Sequence, residues 1–227
     1  MCVGDHRDGT GSLTSSLLEG DNVGSVRVST VAASFKVKSQ KFSRDGLKSL
    51  SQSLQQLGLS SDYNPKFSEN AGLKPSPAMQ IDIGNKNLPM IPSGTKITVR
   101  LFQSGKGTIL DCRSEEEPRK VTDYLKGKLR KSEEYREMVI TTPKITSVNG
   151  QGNIGFRVDL AQFYKSYAVI SNYSPEIQDA VNSKWSDPDG ATTNLFTTGN
   201  VSVYAKSRED LRTAFDDVRE LASSCKA

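Results

Sequence analysis

The chain has 227 residues with 30 basic and 26 acidic side chains, for a formal net charge of +4, and it contains a single histidine. This length suits one large domain or two small ones, and the mild charge permits contact with a polyanion without demanding it. His6 lies in a Gly-, Asp- and Ser-rich stretch that reads as a solvated tail, so catalytic sites that need a positioned imidazole are not expected.

The three cysteines, Cys2, Cys112 and Cys225, are widely spaced and form no CxxC pair. This pattern predicts neither a disulfide framework nor a zinc site, and it suits a reducing compartment. The N-terminus lacks the basic and apolar segments of a signal peptide, and no run approaches the roughly 20 apolar residues of a transmembrane segment. We therefore expect a soluble, cytoplasmic or nuclear protein that is not secreted and that needs no metal or cofactor.

In chain order, residues 1–24 predict a flexible N-terminal arm, and residues 25–227 predict a single α+β domain. Residues 25–42 read as a strand whose apolar phase shifts near Ala32, which indicates a bulge. A helix over 43–59 follows, with Ser43 as its N-cap and leucines at helical spacing. After a Pro-containing loop at 60–77, the strand 78–84 and the hairpin 95–113 are predicted.

In the second half, a charged helix is predicted over 114–138 and a strand–turn–strand over 138–164, with the turn at Asn149-Gly150. Residues 166–173 read as a strand and 174–185 as a short helix capped by Ser174. A strand at 195–207 and a helix at 207–225, capped by Ser207, complete the chain. The predicted fold is α+β: a mainly antiparallel β-sheet with three to four amphipathic helices packed on it.

Two segments, 35–57 and 201–221, both run from a strand through Ser-Arg-acid into a helix. The match is too short to indicate duplication, and ordinary strand-to-helix turns explain it. Two glycine-containing segments, 104–107 and 150–155, superficially match nucleotide-binding loops. Each is followed by a predicted strand rather than by the helix that such a loop requires.

Two basic clusters carry the functional hypothesis, because lysines and arginines on one surface can contact phosphates without reading sequence. Aromatic rings nearby could stack on bases. The alternative is an ordinary solvated surface. The candidate nucleic-acid or anion-binding residues are Lys36, Lys38, Lys41, Arg44 and Lys48 in the first cluster and Arg119, Lys120, Lys126, Lys128, Arg130 and Lys131 in the second, with Phe42, Tyr124 and Tyr135 as possible stacking residues.

These patterns predict a non-enzymatic binding and assembly protein that contacts nucleic acid, RNA included, or an anionic membrane surface, and that self-associates through its mixed charges. A viral structural protein of matrix, coat or movement type would fit. One alternative is a protein-only adaptor that uses the N-terminal arm or the 60–77 loop. A second is an enzyme that works with carboxylates, since Asp82, Asp111 and Asp159 lie on or near strands.

Overall fold

The computed structural model describes residues 22–23, 26–38, 41–64, 77–185 and 190–227. Most of the predicted N-terminal arm, and residues 65–76 of the predicted 60–77 loop, lie outside the described residues. The described residues form eleven strands and four α-helices.

The first half of the chain contains β1 (Asn22–Val23), β2 (Val26–Lys36), α1 (Arg44–Gln56), β3 (Ser60–Asn64), β4 (Ala78–Gly84), β5 (Lys96–Phe102), β6 (Lys106–Cys112) and α2 (Glu117–Leu129). The second half contains β7 (Lys144–Asn153), α3 (Leu160–Tyr167), β8 (Ser171–Asn172), β9 (Ala180–Lys184), β10 (Thr192–Phe196), β11 (Asn200–Ala205) and α4 (Arg208–Ala222). A short 3-10 helix, Ser223–Cys225, follows α4.

All the strands join one sheet in the order β3-β4-β5-β6-β2-β7-β11-β10-β9-β8, with β1 beside the start of β2, and every described pairing is antiparallel. The predicted α+β class, an antiparallel sheet carrying helices, is confirmed. The predicted bulge in the first long strand is also present, since the register of β2 shifts between Val31 and Ala33.

The two halves have the same topology. Each runs strand, helix, four strands, helix, and each forms one half of the sheet, with β2 and β7 paired at the centre. The register gives matched positions: the hairpin β5–β6 corresponds to β10–β11, and Gly105 and Gly199 both turn with positive φ, at 77° and 80°. The similarity between 35–57 and 201–221 therefore joins elements that do not correspond, β2–α1 and β11–α4.

The prediction of a turn at Asn149-Gly150 was wrong. These residues lie inside β7, whose backbone pairs with β2 on one side and with β11 on the other. Gly150 is needed for packing, because a Cβ there would lie 2.8 Å from side-chain atoms of both Leu211 and Val26. In a sequence, a glycine that lets a helix pack closely on a strand cannot be distinguished from a glycine in a turn.

Three further predictions in this half were wrong. The segment predicted as the return strand, which ends at residue 164, contains most of the helix α3, and the strand predicted at 166–173 is reduced to β8 at Ser171–Asn172. The helix α3 begins after Asp159, whose side chain accepts from the backbone N–H of Gln162 at 2.9 Å. The predicted helix at 174–185 is a turn followed by β9. In β9 the buried Val181 and Ser183 alternate with the more exposed Asn182 and Lys184, which is the period of a strand.

The core lies between the helices and one face of the sheet. Alternate strand residues are buried, such as Val28, Val148 and Val203, and they pack with the apolar faces of the helices. Helix ends are capped as predicted: Ser43 accepts from the N–H of Gly46 at 2.9 Å, and Ser207 accepts from that of Asp210 at 3.1 Å. In the described part of the chain, no helix is long and apolar enough to cross a membrane.

Candidate nucleic-acid interface

The strand face that points away from the helices is called here the open face, and among the described residues no helix packs on it. Because successive strand residues point to opposite sides, its members alternate with the core residues. The first half contributes Ser34, Lys36, Gln80, Asp82, Lys96, Thr98, Arg100, Phe102, Lys106, Thr108 and Leu110, and the second half contributes Lys144, Asn149, Gln151, Asn153, Asn182, Lys184, Thr192, Asn194, Phe196, Asn200, Ser202 and Tyr204.

Asparagines dominate the second half of the open face and bind each other across the strands. Asn153 Nδ2 donates to Asn200 Oδ1 at 2.7 Å, and Asn182 Nδ2 donates to Asn194 Oδ1 at 2.8 Å. Near the centre of the sheet, Asn149 Nδ2 donates to the hydroxyl of Thr30 at 3.0 Å. This half therefore presents an ordered layer of amide and hydroxyl groups.

Charged side chains dominate the first half. Lys36 and Lys106 are direct cross-strand partners, and Lys144, on the adjoining strand β7 of the second half, lies opposite Ser34, two residues from Lys36. All three lysines are exposed, and none forms an ion pair with another described residue. Further along the sheet, Lys96 Nζ contacts Asp82 Oδ2 at 2.6 Å.

The outer end of the second half has an apolar tip. The loop between β8 and β9 contains Ile177, whose side chain is 82% exposed. Beside this loop lies a concavity of about 790 Å³, which is lined by Tyr173, Asp179, Phe196, Asn200 and others.

The first predicted basic cluster is divided between surfaces. Lys36 lies on the open face, while Lys38 and Lys41 are exposed just beyond the end of β2. Arg44 and Lys48 are exposed on α1, which packs on the opposite side of the sheet. The structure thus leaves Lys36 together with the open face and separates Arg44 and Lys48 from it.

The second predicted cluster, Arg119, Lys120, Lys126, Lys128, Arg130 and Lys131, lies on or just after α2, also on the helical side. Several of these cations have local partners: Lys120 pairs with Glu116 at 3.3 Å and Lys126 with Asp123 at 3.2 Å. Lys128 Nζ donates to the carbonyl of Leu57 at 2.8 Å and lies 5.5 Å from the centroid of the Tyr124 ring. Lys128 therefore ties α2 to the end of α1.

The three rings predicted to stack on bases are not placed for it. Phe42 and Tyr135 are buried, at 6% and 5% exposure. Burial raises the pKa of Tyr135 to about 12. Tyr124 is half-buried under Lys128, and its hydroxyl accepts from Asn87 Nδ2 at 3.2 Å.

The asparagines of the open face were missed in the sequence. The signal is the alternation of Asn, Gln and Ser with apolar residues in β7, β9, β10 and β11. This alternation can be recognised only when residues 144–153 and 180–184 are assigned as strands. Among the described residues, no group of three or more His, Cys, Asp or Glu side chains is placed to hold a metal ion, and of the predicted acids Asp82 lies on the open face, paired to Lys96.

Comparisons with known proteins agree on one fold. The family model described as transcription factor TFIID, or TATA-binding protein, matches residues 142–223. The chain is 24% identical over 131 residues to TATA box-binding protein-like 1 of Danio rerio, covering 58% of this chain and 69% of that protein. Its structure is similar to that of Methanococcus jannaschii TBP, with a TM-score of 0.63 and 16% identity over 88% of this chain and 99% of the archaeal one.

The chain therefore has the fold of the TATA-binding protein, an antiparallel sheet carrying four helices. The hypothesis of a viral structural protein of matrix, coat or movement type was wrong, because the matched family is described as a transcription factor and the matched relative is named for binding the TATA box. These matches lend no support to a membrane surface or to self-association as the basis of function.

Proposed function

We propose that this protein is a DNA-binding transcription factor that holds duplex DNA against the open face, in a binding rather than a catalytic role, in the nucleus. The observation that carries the proposal is the open face itself: a ten-strand surface of amide, hydroxyl and basic side chains on which none of the described helices packs. The family match over 142–223 supports DNA as the ligand.

The dimensions of the sheet suit a duplex. Ten strands at about 4.8 Å spacing span about 43 Å, which exceeds the length of one helical turn of DNA, about 34 Å. A sheet of this breadth does not enter a major groove about 12 Å wide. It can lie along a minor groove that it widens, because minor-groove proteins use Asn, Gln, Lys and Arg for contacts and apolar side chains as wedges.

Ile177 is a candidate for such a wedge. Its side chain is 82% exposed at the end of the open face. It can therefore insert between two base pairs without breaking a packing contact inside the protein. The helical side, where the second basic cluster lies, is left for other contacts.

The test measures DNA affinity by fluorescence anisotropy with a labelled duplex of about two helical turns. An A·T-rich duplex and a G·C-rich duplex are compared across a salt series. Asn200→Asp places one negative charge on the open face while keeping an acceptor for Asn153. Gln52→Glu makes the same amide-to-acid change at an exposed position of α1. We expect Asn200→Asp to weaken binding about tenfold, because like charges meet, and Gln52→Glu to leave it unchanged.

Equal effects of the two substitutions would move the DNA away from the open face. Preference for single-stranded RNA over both duplexes would contradict the choice of nucleic acid. No binding at low salt by a folded protein would overturn the proposed function.

A further inference from the structure

We propose that the two halves of the open face do different work: the lysines of the first half hold backbone phosphates, and the asparagines of the second half read base edges. The protein then binds an asymmetric duplex in one orientation, with its second half over A·T pairs. This inference rests on the proposed function and adds to it the kind of site and the direction of binding.

The strand registers show which positions correspond. Lys36 pairs with Lys106 across β2 and β6, and in the second half Asn153 pairs with Asn200 across β7 and β11. Likewise Gln80 pairs with Arg100, where the second half pairs Asn182 with Asn194. At three matched positions a basic side chain therefore stands in the first half and an asparagine in the second.

The lysine pair is arranged for a polyanion. Like charges directly opposite each other on neighbouring strands repel, and no described acid pairs with either lysine. A phosphate between the two ammonium groups would relieve that repulsion, and each phosphate neutralised releases condensed counterions. This half supplies affinity that depends on salt and not on sequence.

The asparagine pair is arranged to donate. The backbone N–H of Gly155 donates to Asn153 Oδ1 at 2.7 Å, so the Nδ2 of Asn153 is the atom that faces Asn200 and donates to its Oδ1. That leaves the Nδ2 of Asn200 as the outward group, and nothing else in the described part of the chain accepts from it. A·T pairs show only acceptors in the minor groove, whereas G·C pairs add a donor.

Two double variants separate these roles. Lys36→Asn with Lys106→Asn gives the first half the side chains of the second. We expect the slope of log affinity against log salt to fall by about 0.9, the value for the one phosphate held between the two lysines, with the A·T preference kept. Asn153→Ser with Asn200→Ser should leave that slope unchanged and reduce the preference for A·T over G·C duplex. Circular dichroism and thermal unfolding check that both variants fold.

Orientation is tested on a duplex that is A·T-rich in one half and mixed in the other. A DNA-cleaving iron–EDTA reagent is attached to Ser104→Cys or, separately, to Thr198→Cys, at matched positions in the turns β5–β6 and β10–β11, in a Cys2→Ser background in which Cys112 and Cys225 are buried. Thr198→Cys should cut the A·T-rich flank and Ser104→Cys the other flank.

Cutting of both flanks by each conjugate would overturn the single orientation. An equal loss of salt slope in both double variants would overturn the division of work, although the protein would still be a DNA-binding protein. Absence of binding by the unmodified chain would remove the proposed function and this inference together.

Discussion

The ring of Phe35 on β2 occupies the space in which a side chain on Gly107, its cross-strand partner on β6, would begin. Phe35 is buried in the core between the sheet and the helices of the first half. The absence of a side chain at Gly107 therefore lets a large ring cover the β2–β6 pair.

We expect Gly107→Ala to lower the free energy of unfolding by about 1–3 kcal/mol, the usual cost of overpacking a core. Urea unfolding measures it. Gly127→Ala is the matched control: Gly127 lies in α2 with nothing within 4 Å of an added Cβ, so that variant should gain up to about 1 kcal/mol from helix propensity. Similar losses in both variants would show that the Phe35 contact is not the cause.

The lysine pair predicts a conflict between stability and binding. Lys106→Glu turns the repulsion with Lys36 into an attraction, so we expect the protein to gain about 0.2–1 kcal/mol while its affinity for duplex DNA falls. Lys48→Glu makes the same change at an exposed position of α1 and should leave the affinity for duplex DNA unchanged. Chemical unfolding and anisotropy are measured on the same preparations, and a gain in stability with unchanged affinity would argue against phosphate contact at Lys106.

Both described cysteines should be unreactive in the folded protein. Cys112 and Cys225 are 0% and 1% exposed, and burial, with Glu117 and Asp111 nearby, raises the pKa of the Cys112 thiol. The thiolate is the reactive form of cysteine. In a native Cys2→Ser chain at neutral pH, neither thiol should therefore react with a chromogenic disulfide reagent. Two thiols per chain should react after denaturation. Fast reaction of the native chain would show that the core opens around one of them.

Alkaline pH should weaken the fold through Tyr135. Burial raises its pKa from about 10 to about 12, so the folded chain holds this proton more tightly than the unfolded chain does. Its contribution to stability is complete below pH 10 and is lost as pH rises toward 12. Relative to Tyr135→Phe, the unmodified chain should therefore lose stability across that window. Tyr204→Phe, at a tyrosine that is 46% exposed, controls for the loss of one phenol.

Much of the first half could be predicted because its signals are local. Leucines at helical spacing after Ser43 predict α1, and alternating apolar residues with an intervening turn predict the β5–β6 hairpin. The second half misleads because its glycines and asparagines have tertiary roles. Asn149-Gly150 has the composition of a turn, but it lies in a central strand whose backbone groups are satisfied by two neighbours.

The candidate site was harder to predict than the fold. Lysines and arginines are conspicuous in a sequence because of their charge, yet most of the predicted basic residues lie on α1 or α2, away from the open face. The amides that line the second half of that face carry no charge and become a surface only when β7, β11, β10 and β9 lie side by side.

By itself the sequence determined the class of the fold, the capped helices and the strand periodicity, because each depends on contacts within about one turn or one hairpin. The tertiary structure alone decided that β2 and β7 meet at the centre of one sheet, that the two halves correspond, and that Lys36–Lys106 and Asn153–Asn200 occupy matched positions. Those relationships join residues far apart in the chain, and only the pairing register brings their side chains to one face.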